Sequence, residues 1–327
     1  MKILVTGGAG FIGSSIVNRL LIMDYEVIAV DNLSQYYSND LKRFRIKLNE
    51  KYSNFRLFEY DINDPQLYKL LEKSSIDIVI HLAAQPGVRV QYPESLKYLD
   101  DNVSGFSQIF SWALKNEVKS FIYASSSSVY QKDTASTFSE TSVLDIPSNL
   151  YAKTKWINEQ IAQEFIGKSS TKILGLRLFS VYGPWGRPDM APLRLIASCL
   201  TDYQFSLNGD GNTRRDFTFI SDVTNLICEL IRLEEFPEGI LNIGAGNDHS
   251  INEMIGIIEK ISGLKVKIKQ SSENIKEITK TKSNGDKLKK ILGEFSYTPL
   301  EAGLSQTFEW AKSADVTQNL KLWIASV

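Results

Sequence analysis

A doubly wound α/β fold is predicted for this 327-residue chain by three features of its sequence. Short β-branched runs alternate with longer helical patterns through the first half of the chain. Several of these runs are apolar almost throughout, as in parallel strands that are covered on both faces. A glycine-rich turn follows the first run and opens the first helix. Strict alternation of strand and helix indicates βαβ units, and therefore a Rossmann-type parallel sheet with helices on both sides.

The predicted elements of the first half follow one another at short spacing. Strands are expected at 3–6, 26–31, 55–60, 77–82, 120–124 and 172–178, and helices at 11–23, 41–48, 65–73, 99–116 and 151–167. Beyond residue 178 the rhythm changes, and a loop rich in glycine and proline covers 182–188. Helices are then expected at 190–200, 221–233, 251–262 and 300–314, and strands at 217–220, 240–243 and 266–268. The segments 217–220 and 240–243 are candidates to rejoin the main sheet.

Composition excludes several classes of protein. The 37 Lys and Arg residues balance 38 Asp and Glu residues, whereas nucleic-acid binders and polybasic membrane proteins carry a basic excess. No apolar stretch approaches the roughly 20 residues of a membrane span, and the N-terminus lacks the apolar core of a signal peptide. Cys199 and Cys228 have no metal-like or redox-motif partner nearby. We therefore expect a soluble cytoplasmic protein without disulfides or a metal site.

The glycine-rich turn at residues 7–13 predicts a dinucleotide site. Gly7 permits the tight turn, Gly10 lets the backbone approach a pyrophosphate, and Gly13 lets the helix pack closely on the sheet, so that phosphates lie at the helix N-terminus. The alternative is a plain strand–turn–helix built with small residues. Asp31 ends the second strand, where a carboxylate accepts both ribose hydroxyls and repels a 2′-phosphate. This favours NAD over NADP.

Other residues at the carboxyl ends of the strands complete the expected cofactor site. Asp61 follows the third strand and is either a surface turn residue or a contact to adenine. The cofactor-binding residues expected from these positions are Gly7, Gly10, Phe11, Ile12, Gly13, Asp31, Asn32 and Asp61.

Tyr151 and Lys155 predict acid–base chemistry. They lie one helical turn apart on the same face of the fifth helix. A phenol has a reference pKa of about 10, and a nearby ammonium together with a cationic nicotinamide favours the phenolate. Residues 125–128 are all serine and follow the fifth strand, where their hydroxyls can orient a substrate alcohol beside the phenol. The alternative is a helix start with a buried tyrosine and an exposed lysine.

Taken in order, these motifs resemble the extended short-chain dehydrogenase/reductase superfamily, in particular its nucleotide-sugar epimerases and dehydratases. The resemblance covers nearly the full length and is carried by residues 6–13, 81–85, 125–130, 151–155 and 215–217. The chain is most similar to the UDP-glucuronate 4-epimerases, on residues 31–33 with 36–37 and 41–43, on 85–89, and on the long run 178–190.

This resemblance implies a redox cycle at the sugar C4 on tightly held NAD. Tyr151 as phenolate removes the proton of the C4 hydroxyl, Lys155 lowers the pKa of Tyr151 and binds the nicotinamide ribose, and Ser126 hydrogen-bonds the C4 oxygen. The 4-keto sugar then rotates and accepts hydride on its opposite face. The resemblance also implies cofactor contacts from Ile62, Leu82, Ala83, Ala84, Tyr151 and Lys155. The implied substrate-binding residues are Gly87, Val88, Arg89, Ser126, Ser127, Ser128, Ser180, Arg187 and Arg215.

The substrate-binding residues have distinct implied roles. The hydroxyls of Ser127, Ser128 and Ser180 hold the uronate carboxylate, because a 4-keto uronate is a β-keto acid that can lose carbon dioxide. Arg215 meets the diphosphate. Arg187 and Arg89 line the nucleotide or sugar site, although a surface ion pair is an equal alternative for Arg89.

Three positions depart from the usual pattern and bear on substrate preference. Gln131 replaces a glycine after Val129-Tyr130, and Ser126 and Ser180 stand where threonine is common. The related 4,6-dehydratases carry an acidic pair at 127–128, which makes elimination the weaker alternative. A uronate decarboxylase, an epimerase for neutral or N-acetylated sugars and a non-catalytic NAD-binding regulator remain open.

The domain organisation and assembly are also predicted. A NAD-binding domain is expected over 1–178 plus about 216–247, and a nucleotide-sugar-binding domain over 179–215 plus 248–327. The helices at 99–116 and 151–167 suggest a homodimer with a four-helix contact, because the first has a wide apolar face. That face comprises Val103, Phe106, Ile109, Phe110, Ala113 and Leu114. The alternative is that both faces are buried within the monomer.

Overall fold

The computed structural model describes residues 1–88, 90–130, 137–142, 144–271 and 279–326. Its strands are β1 (Lys2–Thr6), β2 (Glu26–Val30), β3 (Phe55–Phe58), β4 (Ile78–His81), β5 (Ser120–Ser126), β6 (Lys172–Leu178), β7 (Ser180–Tyr182), β8 (Phe205–Leu207), β9 (Arg214–Phe219), β10 (Gly239–Ile243), β11 (Asp248–Ser250) and β12 (Ile268–Gln270).

The helices lie between and after these strands. They are α1 (Phe11–Ile22), α2 (Asn39–Lys47), α3 (Pro65–Leu71), α4 (Gly105–Lys115), α5 (Leu150–Gln163), α6 (Ala191–Leu200), α7 (Ile220–Leu230), α8 (Ile251–Ser262), α9 (Asp286–Leu292), α10 (Leu300–Ala311) and α11 (Ala314–Ala325). A π-helix at Tyr98–Ser104 runs directly into α4. Among the described residues, no helix has the length and apolar character needed to cross a membrane.

Seven parallel strands form the central sheet, in the order β10-β6-β5-β4-β1-β2-β3. This confirms the predicted doubly wound fold. Successive side chains of β1 point to opposite faces, so Ile3 and Val5 belong to one apolar core while Leu4 belongs to the other. The strand order reverses between β1 and β4, and their carboxyl ends therefore border the crevice where ligands bind in such sheets.

A three-stranded sheet, β11-β9-β7, and a two-stranded pair, β12-β8, complete the strands of the described part of the chain. The segment 240–243 joins the main sheet as β10. The segment 217–220, in contrast, belongs to β9, which pairs with β7 in the smaller sheet. β7 begins two residues after β6 ends and leaves the main sheet, so it offers β9 a parallel partner there.

Two predicted helices differ from the structure. The helix expected at 99–116 is divided, because its first two turns form the π-helix and only Gly105–Lys115 is α-helical. The helix expected at 300–314 ends at Ala311, where the Ser313 hydroxyl donates to the Trp310 carbonyl, and α11 begins as a separate helix at Ala314. The strand expected at 266–268 runs over Ile268–Gln270 instead.

Candidate functional site

A cavity of about 990 Å³ lies at the carboxyl ends of the central strands and extends to the smaller sheet. It brings together most of the residues singled out in the sequence. Those lining it are Gly7, Gly10, Phe11, Ile12, Gly13, Asp31, Asn32, Ile62, Leu82, Ala83, Ala84, Gly87, Val88, Ser126, Ser127, Ser128, Tyr151, Lys155, Ser180, Arg187 and Arg215. Asp61 does not line it, but its Oδ2 accepts a hydrogen bond from Asn32 Nδ2 at 2.7 Å. Arg89 and Gln131 lie outside the described residues.

The glycine turn is packed too tightly to hold side chains. Gly7 has a φ of +71°, and a Cβ there would lie 2.8 Å from the Ala83 amide nitrogen. A Cβ on Gly13 would lie 2.1 Å from the Gly7 carbonyl oxygen. The turn therefore lies flat against the first turn of α1, whose N-terminal residues Phe11 and Ile12 face the cavity. This arrangement fits the pyrophosphate of a dinucleotide.

A carboxylate and an ammonium lie together at the far end of this half of the cavity. Asp31 accepts hydrogen bonds from the amides of Ala9 at 3.0 Å and Leu33 at 2.9 Å. Lys42 Nζ donates to the carbonyl of Ser34 at 2.7 Å, and both side chains line the cavity. Burial lowers the pKa of Lys42, and the charge of Asp31 opposes that shift. A hydrogen-bond acceptor and a donor at this point fit the two hydroxyls of an adenosine ribose.

Tyr151 lies in the first turn of α5, where Asn149 Oδ1 caps the helix by accepting from the Ala152 amide at 2.9 Å. Burial raises the pKa of the Tyr151 phenol, while the charge of Arg187 and a hydrogen bond with Ser126 act to lower it. Burial therefore favours the protonated phenol at neutral pH.

Lys155 is only 3% exposed, which excludes the alternative of an exposed lysine. Its Nζ donates to the Ala124 carbonyl at 2.9 Å, and burial lowers its pKa to about 8. Arg187 is the cation whose charge acts to lower the pKa of Tyr151.

The hydroxyls of the serine run at 125–128 have different hydrogen-bond partners. Ser126 Oγ accepts hydrogen bonds from the Ser128 amide at 3.1 Å and from Ser128 Oγ at 2.9 Å. Ser127 and Ser180 also line the cavity. Ser125 differs, because its hydroxyl donates to Glu159 Oε1 at 2.5 Å. The cavity wall beside Tyr151 is therefore formed by hydroxyl groups.

Arg187, in the cavity wall, is held by a carboxylate and a phenol. Its Nε donates to Asp189 Oδ1 at 2.9 Å, its Nη2 pairs with Asp189 Oδ2, and Tyr36 Oη donates to that same oxygen at 3.2 Å. Arg194 also lines the cavity and donates from Nε to Tyr203 Oη at 2.7 Å. Sequence reasoning missed Arg194, although a lone arginine in the apolar helix pattern 190–200 was a usable signal.

Three further residues hold the walls of the cavity and were not predicted. The Asn102 amide of the π-helix accepts from the Gln85 amide at 2.7 Å and donates to Thr154 Oγ1 at 3.1 Å, which joins the segment after β4 to α5. Lys42 and Arg45 of α2 are both buried. Their spacing of three residues, on a face shared with Leu41 and Ile46, was a signal that basic side chains point inward.

Arg45 is fully buried and connects the glycine turn to the loop that carries Arg187. Its guanidinium donates five hydrogen bonds to neutral oxygens: the carbonyls of Trp185 (3.0 and 2.6 Å), Gly186 (3.1 Å) and Ala9 (3.3 Å) and the hydroxyl of Tyr37 (2.6 Å). The Arg45 side chain thus fixes the loop that carries Arg187 against the glycine turn.

Comparisons with known proteins agree with this geometry. The model of the NAD dependent epimerase/dehydratase family matches residues 3–244. The UDP-glucuronate 4-epimerase of Thermodesulfobacterium geofontis is 35% identical, over 94% of this chain and 95% of that protein. The crystal structure of the Bacillus cereus UDP-glucuronic acid 4-epimerase with UDP-glucuronic acid and NAD is 33% identical and superposes with a TM-score of 0.89, over 95% of this chain and 99% of that one. The UDP-glucose 4-epimerase of Thermotoga maritima with UDP-glucose gives 28% identity and a TM-score of 0.81, over 95% and 98%.

Proposed function

The chain belongs to the NAD-dependent epimerase/dehydratase family and is an NAD-dependent nucleotide-sugar epimerase, and from this premise we propose that it inverts C4 of UDP-glucuronate to give UDP-galacturonate. One observation carries the choice of reaction and substrate. The buried phenol of Tyr151 meets the hydroxyl of Ser126 where the cofactor half of the cavity joins a wall of serine hydroxyls.

The side chains around Tyr151 have separate roles in the proposed oxidation of an alcohol to a ketone and its reduction back. Bound NAD supplies the hydride acceptor and a positive charge that favours the phenolate. Tyr151 takes the proton of the C4 hydroxyl and later returns it, while Ser126 donates a hydrogen bond to the C4 oxygen. Lys155, whose ammonium donates to the Ala124 carbonyl at 2.9 Å, would hold the nicotinamide ribose. Arg187 adds a cation near the phenol, and this lowers the energy of its deprotonated form.

The serine wall favours epimerisation over two related outcomes. A 4-keto uronate is a β-keto acid, so its carboxylate must be held without a strong proton donor. Ser127, Ser128 and Ser180 supply neutral hydroxyls along the cavity wall. Positions 127 and 128 hold serine rather than the carboxylates that elimination of water requires.

We further propose the division into a NAD-binding part (1–178 plus about 216–247) and a nucleotide-sugar-binding part (179–215 plus 248–327). β10 returns to the main sheet after β7 and β9 have formed the smaller one, which supports an interleaved arrangement. The pairing of β9 with β7 favours placing residues 216–219 with the nucleotide-sugar-binding part instead.

A homodimer through α4 and α5 is also proposed. Phe106, Ile109, Phe110 and Ala113 are buried within the single chain, so they are not available to a partner. The support comes from Leu99 and Phe165, which flank the two helices and are 45% and 41% exposed. Sedimentation at micromolar concentration should give a dimer, and a monomer there overturns this part of the proposal.

The substrate is tested with three separate incubations of the pure protein, with UDP-glucuronate, UDP-glucose and UDP-N-acetylglucosamine, followed by NMR of the products. We expect UDP-galacturonate from the first and no carbon dioxide. Tyr151→Phe should lower turnover by about 10²–10⁴-fold, whereas Tyr25→Phe, which lies beside β2 at the opposite edge of the sheet, should leave it unchanged. Release of carbon dioxide identifies a decarboxylase instead, and turnover of another sugar alone overturns the choice of substrate.

A further inference from the structure

The face of α5 that carries Tyr151 and Lys155 continues to Glu159. These three residues are spaced four apart, so their side chains follow one another along the helix. Glu159 is 3% exposed. Its Oε1 accepts hydrogen bonds from Ser125 Oγ at 2.5 Å and Arg177 Nε at 2.9 Å, and its Oε2 accepts from Arg177 Nη2 at 2.7 Å. A buried carboxylate is stabilised here by a guanidinium and a hydroxyl that replace water.

The buried ion pair of Glu159 and Arg177 is continued by further hydrogen bonds. Arg177 lies in β6, donates from Nη1 to Tyr130 Oη at 2.8 Å, and stacks its guanidinium 4.6 Å from the Tyr130 ring centre. Tyr130 Oη donates in turn to Asn242 Oδ1 of β10 at 2.8 Å. Ser125 and Arg177 are direct partners in the β5–β6 pairing. Glu159 therefore joins α5 to the carboxyl ends of three adjacent strands.

We propose that Glu159 is a positioning residue for the reaction, acting through Ser125 to fix Ser126 and through its own helix to fix Tyr151. Tyr151 and Lys155 also bond to β5, through Ser126 and the Ala124 carbonyl, and the proposed function directs both side chains to the ligands. The hydrogen bond from Ser125 to Glu159 involves neither proposed ligand. This hydrogen bond keeps the distance between Tyr151 and Ser126 constant during turnover. The inference rests on the proposed function, because there both groups act on one sugar hydroxyl.

The test compares Glu159→Gln with Asp77→Asn. The glutamine keeps the size of the side chain but turns an amide nitrogen toward the donors of Arg177. Asp77 is an ion-paired carboxylate at the amino end of β4, away from the cavity, where it accepts from the Lys2 amide at 2.8 Å and pairs with Lys119 at 2.7 Å. KM and kcat are measured on whichever of UDP-glucuronate, UDP-glucose and UDP-N-acetylglucosamine the unaltered protein converts. We expect Glu159→Gln to lower kcat by roughly 10–100-fold with KM within about twofold, and Asp77→Asn to leave both unchanged.

Amide hydrogen exchange gives a second readout that needs no turnover. The Ser128 amide donates to Ser126 Oγ at 3.1 Å and reports on the serine turn directly. Exchange at residues 126–128 should accelerate roughly tenfold in Glu159→Gln while β1 stays protected. Ser125→Ala, which removes the linking hydroxyl alone, should change kcat and exchange in the same direction, and it decides the matter if Glu159→Gln does not fold.

The two proposals fail in different ways. Turnover of none of the three sugars by the unaltered protein refutes the proposed function, and the exchange experiment then still decides the role of Glu159. Unchanged exchange at 126–128, unchanged kcat, or a rise in KM that matches the fall in kcat overturns the positioning role.

Discussion

Gly13→Ala tests whether the close contact between α1 and the glycine turn is required for the fold and for the cofactor. A Cβ at Gly13 would lie 2.1 Å from the Gly7 carbonyl oxygen, 2.9 Å from the Gly7 carbonyl carbon and 3.1 Å from Gly8 Cα. Favourable contacts between such atoms begin near ~3.5 Å. The helix or the turn must therefore move by more than ~1 Å, and both are backbone, so no rotamer change relieves the contact.

The expected size of the effect follows from two opposing contributions. Overpacking in a well-packed region costs about 1–3 kcal/mol. We expect the upper end, because the atoms in contact with Gly13 are backbone. Replacing glycine by alanine inside a helix returns up to ~1 kcal/mol. The net loss of about 2 kcal/mol corresponds to a fall in melting temperature of ~4–8 °C, at about 2–4 °C per kcal/mol.

The matched control is Gly256→Ala in the exposed middle of α8. A Cβ there meets no heavy atom within 4 Å, so the substitution should stabilise the protein by about 0.5–1 kcal/mol. Scanning calorimetry at one fixed NAD concentration, with the NAD content of each purified protein measured in parallel, checks both variants. If Gly13→Ala melts as high as the unaltered protein and retains its NAD, the close contact does not have the role argued for it.

Three more predictions concern buried charges. Burial lowers the pKa of Lys155 from 10.5 in the unfolded chain to about 8 in the folded protein. Between pH 8 and 10.5 the unfolded chain therefore binds one more proton than the folded protein, and the free energy of unfolding should rise by up to ~3 kcal/mol across this range in denaturant titrations. Lys155→Met should abolish that rise. Burial and the charge of Asp61 raise the pKa of Asp101 from 3.8 to about 6. The folded protein therefore binds one more proton than the unfolded chain in this range, and its stability should fall as the pH rises through it. Asp101→Asn should show a smaller drop in melting temperature between about pH 4 and 7. Arg45→Met should raise KM for the nucleotide sugar and reduce NAD content together, because it leaves buried carbonyls without donors at about 1–3 kcal/mol each; exposed Arg43→Met is the control, and a change in only one of the two quantities contradicts the link.

Local signals were sufficient for the first half of the fold. The six predicted strands of that half appear within about two residues of their expected bounds, because apolar runs and turn residues act over short distances. The glycine turn, Asp31 and the serine run lie at the predicted edge of the sheet, since carboxyl ends of parallel strands meet there.

Features that depend on distant partners were not predictable in the same way. The place of β9 in the smaller sheet depends on β7, more than thirty residues earlier in the chain, rather than on its own sequence. The π-helix holds Asn102 in bonding distance of both Gln85 and Thr154, contacts that no periodicity reports. The role of Glu159 in α5 was not predicted for the same reason, because its partners Ser125 and Arg177 come from two strands.

A buried guanidinium whose hydrogen bonds go to neutral oxygens, as those of Arg45 do, leaves little room for gradual opening. Lifting the loop at Trp185 and Gly186 away from the turn at Ala9 would strand a positive charge in a dry interior until water arrived. Opening of the loop at Trp185 and Gly186 and opening of the turn at Ala9 then become one cooperative event.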